Sequence, residues 1–61
     1  MPLIQVTMFA GRSKEQKREF VELLTRETCR ILKTEPAHVD IIFSEVKKED
    51  WGHGGKLSSE T

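Results

Sequence analysis

Two β-prone runs separated by one long amphipathic stretch restrict this chain to very few architectures. Pro2–Phe9 (PLIQVTMF) and His38–Glu45 (HVDIIFSE) are apolar, rich in β-branched and aromatic residues, and alternate with the period of two that presents a strand to two faces. Between them, Lys14 to about Lys33 consists of helix formers. Phe20, Leu23, Leu24, Ile31 and Leu32, with Thr28 or Cys29 between, recur at helical spacing as one apolar stripe. Strand, helix, strand is the pattern of a βαβ unit, in which a right-handed crossover makes the strands parallel. The expected class is therefore α+β, with one helix and a two-stranded parallel sheet.

One helix covers one sheet face. Ile4, Val6 and Met8 share a face by alternation, and Leu3, Gln5, Thr7 and Phe9 share the other. In the second strand, Val39, Ile41 and Phe43 alternate with Asp40, Ile42 and Ser44. The face carrying Leu3, Gln5, Thr7, Asp40, Ile42 and Ser44 has nothing in this chain to cover it.

Size sharpens the problem. The chain has 61 residues and forms a single domain, 1–61. A domain this small buries only about 60% of its unfolded surface and usually needs a staple. The one cysteine, Cys29, cannot form an internal disulfide, and nothing beside it in sequence activates its thiol. His38 and His53 stand too far apart for a local metal-ligand motif. Self-association is the staple that remains. Ten basic residues balance ten acidic ones, which is not the footprint of a nucleic-acid binder. No secretory leader pattern and no bilayer-length apolar run is present, so no membrane partner is expected. With a lone thiol, this points to a cytoplasmic protein.

The joints are equally readable. Gly11 ends the first strand, and Ser13 with Gln16 three residues on makes a capping box. Arg18, Glu22 and Arg26 stand four apart on the solvent side, a solvated helix face with weak i,i+4 support. Pro36 disfavours helix at Glu35. The tail is polar, and GHGG at 52–55 suits a tight turn or small hairpin. A glycine-rich phosphate cradle would need a following helix, and none is expected there.

Four pieces in one register now carry a resemblance: MP at the start, GRSKEQK at 11–17, the proline-bounded second strand, and WGHGG at 51–55. Together they resemble the 4-oxalocrotonate tautomerase family over nearly the whole chain. The resemblance implies a β-α-β tautomerase fold with a C-terminal hairpin. It also implies self-association as a homohexamer, a trimer of dimers in which neighbours cover the open face. It implies removal of Met1, so that Pro2 becomes an N-terminal general base. The reaction implied is proton transfer between the enol and keto forms of a 2-hydroxy-dienoate or aryl-enolpyruvate, with no cofactor and no metal.

The chemistry suits these residue types. A free α-amino group titrates near 7.7–8.0, and an apolar site or a nearby cation lowers that further. Such an amine is partly neutral near pH 7 and able to take a proton. Arg12 matches the family arginine that binds the substrate carboxylate, and a guanidinium does this bidentately. Its place before a helix start offers no favourable dipole for a cation, which favours a functional role. Trp51 matches the aromatic that lines the pocket, and an interface anchor is its other reading.

Asp40 departs from the pattern, because dicarboxylate-specific relatives carry a second arginine there. The chain also ends SSET, without the family's basic tail. Both departures predict a less positive site and a substrate with one carboxylate. Two further readings stay open. One is a hydratase or dehalogenase of the same superfamily, with Asp40, Glu49 or Asp50 activating water. The other is a weakly active assembly subunit of a hetero-oligomer.

Overall fold

A computed structural model of the chain describes residues 2–61. Strand β1 (Leu3–Phe9) leads into helix α1 (Lys14–Leu32), and a single 3-10 turn at Pro36–His38 returns the chain to β2 (Asp40–Val46). A second 3-10 turn, Lys48–Asp50, precedes a small hairpin of β3 (Gly52–His53) and β4 (Lys56–Leu57), and a third, Ser58–Glu60, follows it. β1 and β2 pair in parallel from Leu3 with Asp40 to Phe9 with Val46. β3 and β4 pair antiparallel, with Gly54 and Gly55 at positive φ in the turn between them. These are the expected α+β order, strand direction and C-terminal hairpin.

Element ends differ from the sequence reading by a residue or two, for local reasons. β1 begins at Leu3 because Pro2 has no N–H to add to a ladder. Its carbonyl still takes part, accepting from the Asp40 N–H at 3.0 Å. β2 begins at Asp40, because Pro36 opens a 3-10 turn that takes in His38. Glu35 before it is extended, at φ −117° and ψ 153°, as a residue preceding proline prefers.

The helix starts as its sequence predicts. The Ser13 hydroxyl accepts from the Gln16 N–H at 3.1 Å, and the Gln16 side chain accepts from the Ser13 N–H at 2.9 Å. It ends at Leu32, within a residue of the sequence reading. Lys33 adopts a left-handed conformation (φ 58°), and the N–H groups of Lys33 and Thr34 close onto the Cys29 carbonyl. A residue with a Cβ pays about 1 kcal/mol for that conformation, and glycine does not. Lys33→Gly should therefore raise the unfolding free energy by about 0.5–1 kcal/mol at fixed protein concentration. A loss of stability in denaturant titration would mean that the lysine side chain contributes more than its backbone strain costs.

α1 lies over the face carrying Ile4, Val6, Met8, Ile41 and Phe43. Phe20 meets Phe43 with ring centroids 6.2 Å apart, and Lys17 pairs with Glu45 across the layer. Val21, Leu24, Thr28 and Cys29 are half-buried along the same helix. Val21 was not in the predicted stripe. Ile31 and Leu32 were, but remain 62% and 60% exposed. Arg18, Glu22 and Arg26 are exposed, without ion pairs among them. The helix instead pairs Glu27 with Arg30 at 2.8 Å.

The opposite face is bare. Leu3 and Ile42 are 49% and 48% exposed, and among the described residues no hydrophobic side chain is fully buried. The radius of gyration is 14.7 Å, against about 10.5 Å for a compact domain of this length. The accessible surface is 4989 Å², against about 4,000 Å² for a compact monomer of this mass. The excess is what a helix laid on two strands leaves open when no third layer is present.

Candidate active site

β1 sorts the candidate residues by its two ends. Its seven residues carry the chain roughly 20 Å, at about 3.3 Å per residue. Pro2 stands before the first of them and Arg12 beyond the last. Pro2 is half-buried, held by the Asp40 hydrogen bond at its carbonyl. Asp40 is exposed and pairs in register with Leu3, on the uncovered face. Its carboxylate has no hydrogen-bond or ion-pair partner among the described residues.

Arg12 and Trp51 sit at the other end. Arg12 is exposed and borders an open groove of about 520 Å³ between α1 and the sheet, with Val6, Met8, Phe20 and Phe43. Trp51 is half-buried and packs on Phe9, ring centroids 4.5 Å apart and planes inclined by 46°. Its carbonyl accepts from the Ser58 N–H at 2.8 Å, which ties it to the end of the hairpin. The hairpin thus serves to fix one aromatic side chain at the C-terminal end of β1.

The chain therefore brings Pro2 together with Asp40, and Arg12 to the same end as Trp51, but it does not bring the two pairs together. No side chain spans the separation. A small ligand can touch Pro2 and Arg12 at once only if they come from different chains.

Phe9 is the residue that sequence reasoning missed. Alternation placed it on the open face, but nothing local indicated that a tryptophan forty-two positions later would close over it. Shortening Phe9 to alanine removes the ring beneath Trp51. Because Trp51 is the only tryptophan, its emission should shift to the red and become more accessible to a quencher. An unchanged spectrum would mean that the hairpin alone holds the indole.

Removal of Met1, on which a free Pro2 amine depends, concerns a residue outside those described. Among the described residues, no group of three or more His, Cys, Asp or Glu is placed to hold a metal ion. No helix among the described residues is long and apolar enough to cross a membrane. The Arg30 guanidinium, hydrogen-bonded to Glu27, holds that carboxyl below its ordinary range, but this pair lies on α1 and outside both candidate clusters.

Comparison with known proteins adds an independent line. The family described as tautomerase enzyme matches residues 2–61. The chain is similar to the 2-hydroxymuconate tautomerase of Comamonas testosteroni, 37% identical over 60 residues that span 98% of this chain and 95% of the relative. Its structure is similar to that of a 4-oxalocrotonate tautomerase homologue, TTHB242, with a TM-score of 0.92, 38% identity, and coverage of 100% and 97% of the two chains. It is also similar to a chain of the heterohexameric 4-oxalocrotonate tautomerase from Chloroflexus aurantiacus J-10-fl. There the TM-score is 0.90, identity 35%, and coverage 98% and 97%.

Proposed function

Because the chain belongs to the tautomerase family, we propose that it is a cofactor-independent isomerase whose base is the amine of Pro2, exposed once Met1 is removed. The observation that carries this reading is the position of Pro2: half-buried, at the head of a strand, and held through its carbonyl by Asp40. The ring fixes φ, so the amine has a defined direction. It takes the hydroxyl proton of an enol acid and returns it to carbon, leaving the 2-oxo acid with no net gain or loss of atoms. Partial exclusion of water favours the neutral amine over the ammonium.

Arg12 of a neighbouring chain engages the substrate carboxylate and stabilises the negative charge that spreads over the enolate as the proton leaves. Trp51, backed by Phe9, forms an apolar wall beside it. The open sheet face and the surplus surface favour self-association, and we assign the family's homohexamer, a trimer of dimers, as the assembly. Pairing of Pro2 and Arg12 from different chains then makes the site a product of assembly.

The test is direct. Intact mass after purification reports whether Met1 is gone. The processed protein should then ketonise phenylenolpyruvate or 2-hydroxymuconate faster than buffer alone, and a processed oligomer that accelerates neither would overturn the proposal. A second reading has one specific observation behind it, the 35% identity to a chain of a heterohexamer. In that reading the chain completes sites shared with a different subunit. Purified alone, it would then assemble poorly or turn over weakly, and adding its partner chain would restore activity.

A further inference from the structure

We infer that Asp40 sets the substrate class of the Pro2 site, excluding dianionic enols and admitting those with a single carboxylate; this rests on the proposed role of Pro2. β1 and its flanks carry no charged residue from Pro2 to Gly11. In β2 the charged residues are Asp40 and Glu45, at opposite ends of the strand. Glu45 is paired with Lys17 from the helix. Among the described residues, the parallel sheet therefore presents one charge without an ion-pair partner at the Pro2 end, and it is negative.

The register makes this proximity unavoidable. Asp40 donates its N–H to Pro2 and pairs with Leu3, so strand spacing and rise put the two Cα atoms about 6 Å apart. An exposed carboxylate at that position acts on a ligand at the Pro2 amine over a Debye length, about 8–10 Å, where screening is incomplete. The nearest titratable neighbour along the chain, His38, faces Thr34, its Nδ1 3.5 Å from the hydroxyl. Because Pro2 and Asp40 are joined within one chain, every copy carries this charge to its own Pro2 end, whichever chains supply Arg12.

The other end of β1 holds the Arg12 guanidinium, at the mouth of the groove under α1, and the stacked pair of Phe9 and Trp51. A ligand bridging the two clusters thus meets a guanidinium and an aromatic wall at one end and a carboxylate at the other. An enol with one carboxylate and a flat, uncharged tail satisfies all of these. A second carboxylate reaching the Pro2 end meets the like charge of Asp40.

The test compares phenylenolpyruvate, with one carboxylate, and 2-hydroxymuconate, with two, in the wild type, Asp40→Asn and Asp40→Glu. The readout is the ratio of kcat/KM for the dianion to that for the mono-anion, taken within each protein. Asp40→Asn should raise this ratio about tenfold at low ionic strength, Asp40→Glu should hold it near the wild-type value, and high salt should narrow the gap. An equal ratio in wild type and Asp40→Asn, or a wild-type preference for the dianion, would overturn the assignment.

Binding separates this inference from the reading beneath it. Trp51 emission can report titration with cinnamate and with 4-carboxycinnamate, which share one shape and differ by one charge. The dianion should bind about tenfold more weakly to the wild type, and Asp40→Asn should remove the difference. If that pattern holds while neither enol is turned over, Asp40 stands and Pro2 as the base falls. If the wild type binds both equally, the Asp40 assignment falls even with catalysis intact.

Discussion

Replacing Pro2 by alanine is expected to lower kcat/KM for an enol acid by about 10²-fold, the lower part of the range for loss of a positioned general base. Alanine keeps an N-terminal amine after Met1 is removed, so some proton transfer survives. What it loses is the ring that fixes φ and holds the amine in one direction. A two-residue extension ahead of Pro2 is the harsher change, since it converts the amine to an amide with no basic lone pair. That protein should lose about 10⁴-fold. Assembly should survive the alanine change, because Pro2 contributes its carbonyl, not its nitrogen, to the sheet. Steady-state rates on processed protein, with Met1 removal checked by mass, decide both. Near-full activity in the extended protein would exclude the amine as the base.

The second large effect is expected at Ile42, in the middle of the uncovered face and 48% exposed in the single chain. Ile42→Asp puts a carboxylate where a neighbour's apolar surface should pack, and an unpaired buried charge costs several kcal/mol. The oligomer should dissociate in sedimentation experiments, with a concentration-dependent fall in melting temperature. Activity should fall at least as far as in Pro2→Ala, although Ile42 touches neither cluster, because a lone chain holds Pro2 and Arg12 at opposite ends of β1. A monomeric Ile42→Asp protein with full turnover would mean that one chain makes a complete site.

Much of this was legible from local pattern. The alternation in PLIQVTMF and HVDIIFSE and the Ser13–Gln16 box each depend on neighbours a few residues apart, and each formed as read, whereas the helical stripe held only in part, at Leu24, Thr28 and Cys29. What was not legible depends on where distant residues meet. The Phe9–Trp51 stack joins the end of β1 to the start of the hairpin, and no local spacing encodes it. The helix ends where it was read to end, but the left-handed Lys33 that closes it is a conformation lysine does not advertise. Arg18, Glu22 and Arg26 form the solvated face they were read as, without ion pairs among them, because exposed i,i+4 pairs contribute only a few tenths of a kcal/mol, too little to hold long side chains together.

The site shows the same division. Pro2, Arg12, Asp40 and Trp51 could be singled out by type and order. Only the register of β1 on β2 and the length of β1 reveal that a single chain holds them in two separate groups, one at each end of the strand.

The most direct test of a site shared between chains mixes two damaged proteins. Pro2→Ala and Arg12→Ala are purified, unfolded together in equal amounts and refolded, so that their subunits scramble. If each site takes Pro2 from one chain and Arg12 from another, about one quarter of sites recover both residues, and the mixture should approach a quarter of wild-type activity. A mixture that stays at the average of its two inactive parents would contradict the shared site.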